Sequence, residues 1–197
     1  YVGLPLAVAL ASHYRITGYD INVERIAELK SGKDRTREVE TERLCGTPAR
    51  FTHDEAQIAG HDVYIVTVPT PVDAHNVPDL GAVRAASRAV GRVITKGAIV
   101  VYESTVYPGV TEDVCGPEIE AESGLVCGKD FFLGYSPERI NPGDKVHTVD
   151  KITKVLAGQT EAVTEVLSEI YSTMTSGGVF VARDIKTAEA AKVIENA

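Results

Sequence analysis

The chain has 197 residues, 44% hydrophobic and 24% charged, enough for one domain with a core of its own and the start of a second. Its formal net charge of −8 argues against a nucleic-acid or membrane-surface partner, because phosphate repels an acidic surface, and no apolar stretch is long enough to cross a bilayer. Three cysteines without CxxC spacing (Cys45, Cys115, Cys127) and five scattered histidines (His13, His53, His61, His75, His147) argue against a disulfide framework or a metal site and point to a reducing cytoplasm.

In chain order, residues 4–11 are apolar and alanine-rich, a buried helix ending near Ser12-His13. RITGYD (15–20) is a short strand that ends in an acid. In 22–30, Ile26 and Leu29 stand among charges, the spacing of an amphipathic helix. Residues 31–50 are polar and aperiodic, a loop with a short helix around 40–44. DVYIVTV (62–68) is a β-branched run, hence a buried strand. Three prolines make 69–78 a loop, and 80–93 is helical. AIVVY (98–102) is another buried strand, and Pro108-Gly109 breaks the chain before a helix over 111–122. FFLGY (131–135) is a strand and 136–148 a long loop. A strand follows over 151–157, a helix over 160–174, a short strand over 178–182 and a last helix over 185–196.

This alternation predicts an α/β domain: a Rossmann-like, doubly wound, mostly parallel sheet with helices on both faces. The chain opens on Tyr1, shows no signal-peptide pattern and stops inside its last helix, so a piece of a longer protein is expected. Residues 1–184 are expected to form a dinucleotide-binding domain entered one strand late, with 185–197 beginning a second, helical domain.

The full dinucleotide fingerprint G-x-G-x-x-G runs from a strand through a tight turn into a helix. Here only the last glycine stands, as Gly3, where it would let the helix pack closely on the sheet with its N-terminus facing a pyrophosphate. Asp20 follows 17 residues later at a strand end, the place of an acid that holds the adenosine ribose hydroxyls. Such a carboxylate repels a 2′-phosphate and favours NAD over NADP. The plainer reading makes Gly3 a packing glycine and Asp20 a cap for the next helix.

Four further motifs fall at or near strand ends, where open parallel sheets bind ligands: VPTP (68–71), ESTVYPG (103–109), SPERINPG (136–143) and AEAAKVIEN (188–196). Together with the opening YVGLPLA, their order and spacing resemble the UDP-glucose/UDP-N-acetylmannosamine dehydrogenase family over the whole chain. The resemblance implies roles position by position. Tyr1, Val2 and Gly3 end the phosphate turn. Asp20 holds the ribose with Arg25 beside it, and Thr70 and Pro71 line the cofactor channel. Ser104 and Thr105 sit by the nicotinamide, with Thr105 also ordering a catalytic water. Glu138 is the acid–base carboxylate, and Lys192 and Asn196 stabilise oxyanions. Lys192 and Asn196, four apart on a helix, do share one face. The plain alternatives are a solvated helix face for that pair, a loop salt bridge for Glu138, a buried capping hydroxyl for Thr105 and a rigid loop for VPTP.

The resemblance implies oxidation of the C6 hydroxyl of a UDP-sugar to a carboxylate. Two hydrides pass to NAD, by way of a thiohemiacetal and a thioester on a cysteine downstream of this chain. None of the three cysteines present is assigned that role. Members acting on UDP-glucose carry a second glutamate where Pro142 stands, so the motif looks like the branch that oxidises UDP-N-acetylhexosamines for surface polysaccharides. A homodimer or larger assembly is expected. Two other readings stay open: a single-step dehydrogenase of the 6-phosphogluconate or 3-hydroxyacyl-CoA type, and an NAD-sensing module without chemistry.

Overall fold

The structure, a computed structural model, describes residues 2–72, 77–138 and 152–195. Seven α-helices and seven strands, with a 3-10 turn (Glu55–Ile58) and a π turn (Val110–Cys115), occur among these residues: α1 (Gly3–Leu10), β1 (Thr17–Tyr19), α2 (Val23–Lys30), α3 (Thr41–Gly46), β2 (Arg50–Thr52), β3 (Val63–Val66), α4 (Gly81–Val93), β4 (Ile99–Tyr102), α5 (Gly116–Ser123), β5 (Phe132–Tyr135), β6 (Lys154–Gly158), α6 (Glu161–Ser172), β7 (Val179–Val181) and α7 (Ile185–Glu195). Strands β3, β4 and β5 are parallel neighbours, β6 joins β5 antiparallel, and β7 runs parallel to β6.

The other two strands, β1 and β2, pair with each other in a separate parallel sheet. A cavity of about 380 Å³ opens between the two sheets, lined by Ile16 on one side and Val63 and Ile65 on the other.

The β-branched strands work as the alternation of side chains in a strand requires. Val100 and Tyr102 of β4 point into a core with Val83 and Val90 of α4, Ile119 of α5, and Ile185 and Ala188 of α7. Ile99 and Val101 point the other way, against Leu6 and Leu10 of α1 and Val163, Leu167 and Tyr171 of α6. All four residues of β4 are buried, because helices cover both faces. Leu4 and Val8 of α1 reach a third cluster with Leu29 of α2 and Leu44 of α3.

Two features differ from the sequence expectation. Strand β2 was not anticipated, since only Phe51 interrupts a polar stretch of three residues. The helix expected over 111–122 begins as a π-helical turn, Val110–Cys115, before α5. Pro117 has no N–H for the carbonyl four residues back and its ring crowds that carbonyl, so the wider turn accommodates it.

Candidate functional site

The carboxyl edge of the sheet gathers the motifs. Val66, Tyr102 and Tyr135 are partners in register across β3, β4 and β5, so the chain leaves all three strands at one level. Polar bonds tie these exits together. The Ser104 hydroxyl donates to the Val68 carbonyl at 2.5 Å, the Thr70 hydroxyl donates to the Thr105 carbonyl, and Tyr135 Oη donates to the Ser104 carbonyl at 3.1 Å. Thr70 and Ser104 therefore shape the walls with their hydroxyls, while the Thr105 side chain stays exposed. Pro71 is exposed and its carbonyl accepts from the Asp79 N–H at 2.7 Å, which closes the VPTP loop.

Beside this edge, α1 starts with no side-chain cap at Val2. Its first-turn amides are those of Gly3 and Leu4, and Pro5 sits where a missing N–H costs no helical bond. A Cβ on Gly3 would lie 2.5 Å from the Thr67 hydroxyl oxygen, so only glycine allows this approach of helix to strand exit. Asp20 follows β1 and is exposed, with one carboxylate oxygen accepting from the Asn22 N–H at 2.8 Å. The cap of α2 is Asn22, whose side chain accepts from the Arg25 N–H. These residues fit a dinucleotide: an uncapped helix start for a pyrophosphate, a close glycine, and an accessible acid for ribose hydroxyls.

Arg25 is engaged elsewhere than expected. Its guanidinium is buried and donates to Asp34 at 2.6 Å, with Nη1 3.5 Å from Glu28. Asp34 also accepts from the N–H groups of Thr36, Glu38 and Val39, and these bonds hold its carboxyl down at about 2 despite its burial. Arg25 thus orders the 34–39 loop below the Asp20 turn.

Glu138 follows β5 three residues past Tyr135 and is buried, 3.6 Å from the Lys154 ammonium. Thr105 stands three residues past Tyr102, the in-register partner of Tyr135. Helix α7 rises antiparallel to the π turn and α5. Lys186 pairs with Asp113 at 3.1 Å, and Glu189 then accepts from the N–H groups of Thr111 and Gly109 at 2.9 and 2.6 Å. Lys192 is about one turn further along α7. It is half-buried and on the same helix side as buried Ala188 and Glu189, whereas Val193 and Ile194 are exposed. Tyr1 and Asn196 lie outside the described residues, as does most of SPERINPG.

Sequence reasoning missed three polar residues that organise this edge. Glu189 anchors α7, and burial raises its carboxyl. Glu103 and Lys154 form a fully buried ion pair at 2.9 Å. Glu103 stands inside a quoted motif, and an acid directly after a strand as apolar as IVVY was a readable signal; Lys154 gave none. Among the described residues, no cluster of His, Cys, Asp and Glu could hold a metal, and no helix is long and apolar enough to cross a membrane.

A doubly wound sheet with this edge defines a Rossmann-like dinucleotide-binding domain. The family of the UDP-glucose/GDP-mannose dehydrogenases matches over residues 1–175 through its NAD-binding domain, and the chain belongs to that family, with NAD as its cofactor. It is 56% identical to protein CapL of Staphylococcus aureus, and 50% identical to a UDP-N-acetyl-D-glucosamine 6-dehydrogenase of Pseudomonas aeruginosa. All of this chain is aligned in each case, against 46% and 47% of those proteins. A solved UDP-D-ManNAc dehydrogenase from Pyrococcus horikoshii superposes with a TM-score of 0.90 at 32% identity, over all of this chain and 48% of that one. The chain spans about half the length of the curated relatives it matches.

Proposed function

We propose that the chain is the cofactor-binding half of an NAD-dependent dehydrogenase that oxidises the C6 hydroxyl of a UDP-N-acetylhexosamine to the carboxylate, in two hydride transfers, for surface polysaccharide. One observation carries this reading: Thr105 and Glu138 follow adjacent parallel strands, each three residues past the in-register pair Tyr102 and Tyr135, so both fall at the carboxyl edge of the sheet. The name of the Pseudomonas relative supports the acetamido sugar as substrate.

Bound NAD would accept the hydride from C6 in each oxidation. Gly3 and the uncapped α1 would hold its pyrophosphate, and Asp20 its ribose. Glu138 would take the proton from the C6 hydroxyl and later activate a water that the Thr105 hydroxyl orders. Lys192 and Asn196 would hold the oxygen as its negative charge develops. In this reading α7 opens the helical part that follows, through which the intact protein pairs.

In the full-length protein given UDP-N-acetylglucosamine, Lys192→Ala is expected to lower kcat by about 10²–10³-fold, the cost of losing one oxyanion donor. NAD affinity, measured by fluorescence titration, should stay near the native value. An equal loss of NAD binding would contradict the role of Lys192, and NAD binding without turnover on any UDP-sugar would contradict the enzyme.

A further inference from the structure

Behind Glu138 lies a buried charge cluster that the chemistry above leaves unused. The register of β5 on β6, Gly134 opposite Gly158 and Tyr135 opposite Ala157, sets Glu138 across from Lys154 when it is continued three residues. The Lys154 side chain is 0% exposed; its ammonium is 2.9 Å from Glu103 Oε2 and 3.6 Å from Glu138 Oε2. Tyr171, from the end of α6, donates to Glu103 Oε1 at 2.5 Å and presents its ring 5.3 Å from the ammonium. Two carboxylates from successive strand exits therefore share one cation.

A buried ion pair is an expensive way to hold a sheet together, since apolar residues of the same volume serve as well or better. This one stands where the strand exits meet the site, not in the middle of the core. We propose that Lys154 is a positioning residue for Glu138, anchored by Glu103 and Tyr171, and that its single ammonium couples Glu138 to Glu103. This rests on the reading of Glu138 as the acid–base group. Burial pushes the Glu103 carboxyl up to about 7; Lys154 opposes that shift and Glu138 adds to it. The other titratable groups facing Glu103 among the described residues are Tyr171 on α6 and Tyr135 on β5, both raised by burial and neutral at working pH.

The test is a carbon-13 NMR titration of the full-length protein labelled at glutamate carboxyls, with Glu103 assigned through Glu103→Gln. The native Glu103 midpoint is expected near neutral. Glu138→Gln should lower it by about one pH unit, and Lys154→Met should raise it by about the same. In turnover, Lys154→Met should move the acid limb of the kcat profile to higher pH and Glu103→Gln to lower pH, with KM for the sugar unchanged. Lys154→Arg should restore part of the native profile. A Glu103 midpoint indifferent to Glu138→Gln, or limbs that move together, would overturn the proposal. If Lys154→Met does not fold, the two near-isosteric glutamine variants decide it. If no UDP-sugar is turned over, the proposed function fails, while the Glu103 titration still decides the coupling.

Discussion

Two acids end strands of this molecule, and they do opposite things. Asp20 leaves β1 into solvent, where one carboxylate oxygen accepts from the Asn22 N–H at the start of α2 and the side chain stays exposed. Glu103 leaves β4 into the protein, with its side chain fully buried, one oxygen on an ammonium and the other on a phenol. The sequence context is alike, a strand and then an acid. What separates them is coverage: Asp20 stands exposed past the end of β1, whereas all four residues of β4 are buried. An exposed acid is available to a ligand at little cost to folding; a buried one must be paired, and its proton becomes part of the protein's energetics.

The sharpest way to break this contrast is Lys154→Met. It leaves Glu103 buried without its cation and is expected to cost about 3–5 kcal/mol in urea unfolding. A loss below about 1 kcal/mol, as for an exposed pair, would show that Glu103 is as free as Asp20. Next in size is Gly3→Ala. The added methyl meets the Thr67 hydroxyl, so it should cost about 1–3 kcal/mol and weaken NAD binding together. Smaller again is Asp20→Asn, which keeps the Asn22 contact but removes the charge. NAD affinity should fall by about 1.5 kcal/mol, roughly tenfold, with stability within about 0.5 kcal/mol of native and discrimination against NADP reduced.

Two acids, Glu103 and Asp34, also differ in pH dependence. Glu103 stands at about 7 in the folded chain against an ordinary 4.5. The folded state holds a proton that the unfolded state releases between those values, so this group's contribution to stability declines as pH rises from about 4.5 to 7 and is level above. Asp34 runs the other way. With its carboxyl lowered from 3.8 to about 2, its contribution is present above 3.8 and is lost as pH falls through about 2. Urea midpoints measured from pH 5 to 7 should therefore decline less in Glu103→Gln than in the native protein.

The same contrast marks how far the sequence could be read. Strands β3, β4 and β5 were legible because β-branched runs bounded by loops have little alternative to a covered strand. Helix α7 was legible as a helix. The short β2 was not, because its pairing with β1, rather than its own residues, makes it a strand. Arg25 was read toward the cofactor, but a carboxylate nine residues away, Asp34, takes its guanidinium. Lys154 was silent for the same reason. Its partners lie 16 and 51 residues distant, and only the antiparallel turn of β6 brings them together. Local pattern reports elements and exposed motifs; the pairing of buried charges is a property of topology.

The central claim is that this edge serves an oxidation carried through to the acid. The most direct measurement is the ratio of NADH formed to sugar consumed by the full-length protein on UDP-N-acetylglucosamine, followed by absorbance together with chromatography of the nucleotide sugar. Two NADH per sugar, with a UDP-uronic acid as product, is the expected result. A ratio of one, with the product left at the aldehyde or ketone level, would contradict it.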